Sequence, residues 1–230
     1  MTFAERIISF LKDLEFKGSL PDGISVMNPF RDNPQVIGVV TEFYNKFYND
    51  ERSRHLILGI NPGRFGAGVT GIPFTDTRRL AEKCGINISG TQTFEPSSAF
   101  IYEMIDAFGG TEKFYSHFYI SAISPLGFTT SGGKGKDVNF NFYDNKRLNE
   151  SVYNFILQSL EKQLDFSIYT DVCFCLGAGK NFKFLNELNL NKKYFERIVP
   201  LEHPRFIMQY KSKQKPDFIK RYTEEFKKVI

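Results

Sequence analysis

Apolar residues recur at helical spacing from the start of the chain, where Phe3, Ile7, Leu11 and Leu14 follow Thr2, a residue able to cap the first turn. Residues 16–32 break that period with Gly18, Pro21, Gly23 and Pro29 and read as a loop. Asn33-Pro34 then supplies a cap followed by proline at the first helical position. Val36, Val40, Phe43 and Phe47 line one face of the helix that follows, which ends near Asn49. At residue 55 the period changes. Leu56-Ile57-Leu58 is a short continuous apolar run, the mark of a strand buried on both faces, and predicts a strand over 55–60. A long loop follows. Helices are predicted over 75–83, closed by Gly85, and over 99–108, capped by Ser97 or Ser98 and closed by Gly109-Gly110. Others are predicted over 111–117, over 144–164, from Lys180 to near 188, and over 217–229. Strands are predicted at 118–123, 172–176 and 195–199; residues 124–142 and 200–204 read as loops.

Strands alternating with helices predict a parallel sheet with helices on both faces. A three-layer α/β/α fold with a central four-stranded parallel sheet is expected, as a single domain over residues 1–230. The carboxyl ends of the first, second and fourth strands would bring together loops 60–74, 124–142 and 200–208, where open α/β sheets bind ligands.

Composition narrows this picture. With 230 residues, 41% of them hydrophobic, the chain can close a core without disulfide or metal staples. Its three cysteines (Cys84, Cys173, Cys175) are too few for a disulfide framework or a four-thiolate iron–sulfur cluster. Neither a metal nor an organic cofactor is expected. No run of about eighteen apolar residues exists, so no membrane partner is expected, and the acidic, amphipathic N-terminus does not read as a signal peptide. A cytoplasmic monomer is the expectation. The net charge is +4, but residues 204–230 alone hold eight Lys/Arg against three Asp/Glu, an excess of +5 that leaves the rest of the chain near neutral. Such a segment is either a solvated helix face or a phosphate-facing surface.

The candidate chemistry lies first in the loop after residue 59. It holds Asn61, Pro62, Gly63, Phe65, Gly66, Gly68, Gly71, Pro73 and Phe74. Glycines let a backbone approach a ligand, while Asn61 offers a polar handle and the two phenylalanines flat apolar walls. Neither a phosphate loop nor a dinucleotide fingerprint is present; the plain alternative is a structural strand–helix connection. His203 is the second candidate, at a predicted strand end and stiffened by Pro204.

Gly59-Ile60-Asn61-Pro62-Gly63-Arg64-Phe65-Gly66, followed by Thr70-Gly71-Ile72-Pro73-Phe74, resembles the first motif of the uracil-DNA glycosylase superfamily. The nearest branch is the single-strand-selective monofunctional uracil glycosylases, with Gly-Met-Asn-Pro-Gly-Pro-Phe-Gly and Thr-Gly-Val-Pro-Phe at the same spacing. His203-Pro204 resembles the superfamily's second motif, and Ser124-Pro125-Leu126 the branch's Cys-Pro-Leu. The resemblance spans roughly residues 56–205. It implies a monofunctional DNA glycosylase that flips out and hydrolyses uracil or a related deaminated base, with DNA as its partner. Asn61 would orient the attacking water, His203 would brace negative charge on the departing base, and Phe74 would stack on it. Gly59, Ile60, Pro62, Gly63, Phe65, Ser121, Ala122, Ser124 and Asn139 would complete the base pocket. Arg64, Lys134, Lys136, Arg205, Phe206, Ile207, Met208, Lys211 and Lys213 would meet DNA, with residues 205–208 as the wedge that fills the vacated stack.

Two departures stand out. The branch reads the base edge with an Asn where this chain has Ala122, so Ser121, Ser124, Asn139 or Asn141 substitutes or base choice is relaxed. The family's His-Pro-Ser-Pro-Arg is also shortened here to His203-Pro204-Arg205. The rival expectations are a catalytically weak or inactive nucleic-acid-binding protein on the same fold, for which Ala122 is the warning sign, and a small-molecule α/β enzyme with a merely solvated basic tail.

Overall fold

A computed structural model describes residues 1–90, 92–132 and 137–230. In chain order its elements are α1 (Phe3–Asp13), β1 (Ile24–Met27), α2 (Pro29–Asp32), α3 (Pro34–Tyr48), β2 (Arg54–Gly59), α4 (Ala67–Thr70), α5 (Thr77–Cys84), α6 (Pro96–Phe108), α7 (Thr111–His117), β3 (Phe118–Ala122), β4 (Gly127–Ser131), β5 (Asp137–Phe140), α8 (Lys146–Leu164), β6 (Ile168–Leu176), α9 (Lys180–Lys192), β7 (Arg197–Leu201), α10 (Pro204–Tyr210), a 3-10 turn (Ser212–Gln214) and α11 (Lys215–Lys227).

Strands β3-β2-β6-β7, in that spatial order, form the expected four-stranded parallel sheet. β2 is buried along its whole length, which is why it reads as an apolar run. β6 starts four residues before the run that announces it, because its first residues are partly or fully exposed. Two neighbours in β3 show both faces of the sheet. Phe118 packs on Phe226 of α11 (4.8 Å between ring centroids) and Phe108 of α6 (5.6 Å). Tyr119 packs on Phe3 of α1 (5.5 Å) and Tyr44 of α3 (6.5 Å). Successive strand side chains point to opposite faces, so α1 and α3 cover one side and α6 and α11 the other, giving three layers.

The expectation of plain loops at 16–32 and 124–142 fails in part. β1, β4 and β5 form a second, antiparallel sheet in the order β1-β4-β5. β1 and β5 are four residues long and only partly buried, so neither carries an apolar run or more than two cycles of alternation. Residues 204–210 are also helical rather than loop. His203 caps α10 and Pro204 opens it, the same signal that marks α3 at Asn33-Pro34. All three cysteines are free and buried. Among the described residues, no helix is long and apolar enough to cross a membrane.

Candidate active site

At the carboxyl ends of β2, β3 and β7 lies a cavity of about 160 Å³. Of the residues singled out in the sequence, Gly59, Ile60, Asn61, Pro62, Gly63, Gly71, Pro73, Phe74, Ser121, Ala122, Pro125, Asn139, Asn141, His203 and Arg205 line it, and the Asn141 Nδ2 donates to Asp144 Oδ2 at 2.8 Å. Three loops far apart in sequence meet there. A groove of about 520 Å³ adjoins it, lined by Arg64, Phe65, Phe94, Val138, Met208 and Gln209 and sharing Glu95, Ser97, Asn139 and Arg205 with the cavity.

Asn61 is held from the small sheet. Its Oδ1 accepts the Phe142 N–H at 3.3 Å, and its Nδ2 donates to the Phe140 carbonyl at 3.3 Å and the Pro62 carbonyl at 3.4 Å. A backbone donor on one side and a backbone acceptor on the other fix the carboxamide's orientation. Oδ1 keeps a second lone pair for a water.

His203 accepts the Arg205 N–H at Nδ1, 3.1 Å away, as the cap of α10. An imidazole nitrogen that accepts cannot also carry a proton, so a neutral ring bears its hydrogen on Nε2. Burial, reinforced by the Arg205 charge, lowers the His203 pKa to about 4. Near neutral pH the ring is therefore an uncharged donor. Phe74 lies beside it, with ring centroids 5.7 Å apart. The Phe74 ring also covers Gly59, where an added Cβ would fall 2.8 Å from a ring carbon. Only glycine lets the aromatic wall sit directly against the strand end.

Other predicted residues lie elsewhere, each for a structural reason. Ser124 is fully buried and donates to the Leu126 carbonyl at 2.9 Å, so it closes the turn after β3 and does not line the cavity. Ser121 lines the cavity, but its hydroxyl is taken by Gln163. Phe65 is 51% exposed and belongs to the groove, with the Arg64 guanidinium 4.9 Å from its ring centroid. Ile207 is completely buried on the inner face of α10 and cannot serve as a wedge. Phe206 and Arg205 on that helix are exposed, and Met208 is half-buried at the groove. Lys211 and Lys213 are exposed beyond α10. Lys134 and Lys136 lie outside the described residues. Among the described residues no group of three His, Cys, Asp or Glu is arranged to hold a metal ion.

Sequence reasoning missed Glu95. It occupies the cap position of α6, before Pro96, yet its side chain makes no capping bond. Its own N–H donates to Asp76 Oδ2 at 2.8 Å, and Asp76 also caps α5. Burial, with the Asp76 charge adding to it and Arg205 opposing, pushes the Glu95 carboxyl up to about 7. The available signal was a cap residue of the wrong type, since caps favour Ser, Thr, Asp and Asn.

Residues 46–227 match the family model described as the uracil DNA glycosylase superfamily. Among solved structures, the chain is similar to wild-type Pedobacter heparinus SMUG2, with 56% sequence identity and a TM-score of 0.98, covering 100% of this chain and 98% of that one. No curated protein matches.

Proposed function

The chain belongs to the uracil DNA glycosylase superfamily, and from that premise we propose how its cavity breaks a glycosidic bond. It is a monofunctional DNA glycosylase, a hydrolase that binds DNA and acts in base excision repair. Our reading is that it works as a cytoplasmic monomer on DNA carrying uracil or a related deaminated base.

The target must leave the stack before it can enter the cavity, at a cost of about a few kcal/mol that is least at a mismatch or in a single strand. Phe74 then forms the wall against which the extruded base stacks. As the bond to the sugar stretches, positive charge builds on the sugar and negative charge on the base. Neutral His203, through Nε2–H, donates to the oxygen that gathers the negative charge. A donor already in place needs no reorganisation as the bond breaks. Its neutrality also avoids stabilising the substrate by a full charge before the reaction begins. Asn61, locked by Phe140 and Phe142, holds the water on the sugar side. An amide is a poor base, but it suffices where the sugar cation is largely formed before attack. The leaving base is a stabilised anion, so the paired carboxylates of ordinary sugar hydrolysis are not required.

The observation carrying this reading is the convergence of Asn61, Phe74 and His203 on one cavity. Single-turnover excision tests it. Asn61→Ala and His203→Ala should each slow release of uracil by about two decades or more, the typical cost of one preorganised donor being about 2.7–4 kcal/mol. DNA affinity should be unchanged. The His203 effect should shrink for bases that leave more easily as anions, and the Asn61 effect should not. A double variant as fast as the parent would refute these roles.

A further inference from the structure

Among the described residues, Glu95 is the one acidic side chain lining the cavity, and it stands in the wall shared with the groove. Asp76 and Pro96 fix its backbone. Its carboxyl reaches the glycine loop. A Cβ on Gly63 would lie 3.0 Å from Oε1, and one on Gly66 would overlap Oε2. Asn139 reaches the same place from β5. Its Oδ1 accepts the Arg64 N–H at 3.0 Å, and its Nδ2, without a hydrogen-bond partner among the described residues, lies 3.4 Å from that same Cβ position on Gly63. A carboxyl and a carboxamide thus converge over bare backbone, in the cavity that holds Asn61, Phe74 and His203. Ala122 offers no polar atom for a base edge, Ser121 is bonded to Gln163 and Ser124 to Leu126.

We propose that Glu95, together with Asn139, reads the hydrogen-bonding edge of the extruded base, with the Glu95 carboxyl acting in its protonated form. This rests on the glycosylase function proposed above. A protonated carboxyl sets an O–H donor beside a C=O acceptor. That pair matches the neighbouring C=O and N–H on the edge of a deaminated base, and it is the pair an amide at position 122 would have presented. An ionised carboxylate has acceptors alone and would face the base carbonyl with like partial charge. The surroundings favour the protonated form. Burial raises the carboxyl to about 7, and the Asp76 charge works in the same direction. Of the cations nearby, Arg205 opposes this, Arg79 of α5 is 3.6 Å from Asp76, and Arg64 is stacked on Phe65. His203 is uncharged over the same range.

The test is single-turnover release of uracil from an oligonucleotide by the full chain, across about pH 5.5 to 8.5, which brackets the carboxyl at about 7. The parent rate should fall as pH rises through about 7, as the proton is lost. Glu95→Gln, whose amide keeps both donor and acceptor, should retain the low-pH rate within about threefold and flatten the profile. Glu95→Ala should be about tenfold slower or worse at low pH, with thermal midpoint and affinity for undamaged DNA unchanged. An Ala variant as fast as the parent, a Gln variant as slow as Ala, a parent rate rising with pH, or activity lost only in step with thermal stability would each overturn the role of Glu95. A parent that releases no base at any pH would instead overturn the glycosylase function itself.

Discussion

Phe74 has φ of 53°, a left-handed conformation that a bulky side chain rarely adopts. Strain of this kind, about 1–3 kcal/mol, persists where the surroundings over-determine it and clusters at ligand sites. The surroundings here are Gly59 beneath the ring and His203 beside it. An aromatic kept in a costly conformation at a cavity wall, and only half-buried, is placed to stack rather than to fill the core. Phe74→Ala should therefore lower excision efficiency by about 1–3 kcal/mol, the worth of a base–aromatic stack. Thermal stability should fall by less than for a core phenylalanine, because the ring is only half-buried, while alanine keeps the Cβ and with it the backbone strain. Parallel excision kinetics and thermal unfolding check this; a loss of stability in proportion to lost activity would make Phe74 a core residue. The meeting of Asn61, Phe74 and His203 in one cavity was legible in the sequence because two lie in one strand-to-helix loop and the third follows another strand with its own His-Pro signature. Glu95 was not. Its cap position before Pro96 is a weak local signal, but its place against Gly63 and Gly66 is a tertiary fact that no local pattern announces. Ser124 and Ile207 misled for the converse reason. Motif position and residue type do not reveal that a hydroxyl closes its own turn or that a helix turns one side chain inward.

β2 carries the site at its carboxyl end and an unusual residue at its start. Arg54 has no solvent exposure, yet it opens a strand whose apolar run begins only at Leu56. The guanidinium donates to both oxygens of Asp50 at 2.8 and 2.9 Å and to the Tyr115 carbonyl at 2.8 Å, and it lies 4.7 and 4.8 Å from the ring centroids of Phe3 and Tyr48. This anchors the strand to α1, α3 and α7 together. Burial works against the Asp50 carboxylate, but the Arg54 hydrogen bonds and charge and the Arg52 N–H outweigh it and hold the pKa below the ordinary value. Asp50→Asn should destabilise the fold by about 3 kcal/mol at neutral pH, the low end for breaking a buried pair because Asp50 keeps some water. A carboxyl with a lowered folded-state pKa contributes stability that is present above its unfolded value and lost as pH falls through the folded one. The gap between parent and variant should therefore begin to narrow below about pH 4, where the carboxylate of the unfolded chain starts to take up its proton, and close as pH falls through the lower folded-state value. Denaturant unfolding at neutral and acid pH measures both points. β2, β3 and the second half of β6 were legible because burial on both faces writes itself as apolar runs; β7, exposed at Arg197 and half-buried over the next three residues, shows only the Ile198-Val199 pair, and it lies two residues later than expected. The antiparallel sheet was not, although β5 leads directly into the backbone that holds Asn61 and itself supplies Asn139. Its strands are short and half-wet, so selection for packing leaves little periodic trace in them.

For the whole molecule, the question is how DNA reaches the cavity. The basic excess of residues 204–230 is smaller in space than in sequence. Lys215 pairs with Glu103, Arg221 with Glu202, Lys220 with Glu224 and Lys228 with Glu225. Those pairs offset much of the charge on and around α11, two of them through carboxylates from outside the helix. Lys211 and Lys213 differ: both are exposed, and they follow α10, whose Arg205 lines the cavity and the groove and whose Phe206 and Tyr210 stand exposed. A strand entering the cavity would carry its phosphates past this corner, while Phe65 and Phe94, 51% and 54% exposed, offer faces to neighbouring bases across the groove. Phosphate contacts fix position without reading sequence. Replacing Lys211 and Lys213 together by Ala should therefore weaken binding equally for damaged and undamaged oligonucleotides. Each lost contact should flatten the dependence of log affinity on log salt by about 0.7 for a single strand and about 0.9 for a duplex. The single-turnover rate at saturating enzyme should not change, because neither lysine touches the base. Titrations over a range of salt concentrations with both kinds of oligonucleotide separate the possibilities. A variant that loses discrimination between damaged and undamaged DNA at an unchanged salt slope would move these lysines from the backbone path to the base, and the corner beyond α10 would lose its role as the track.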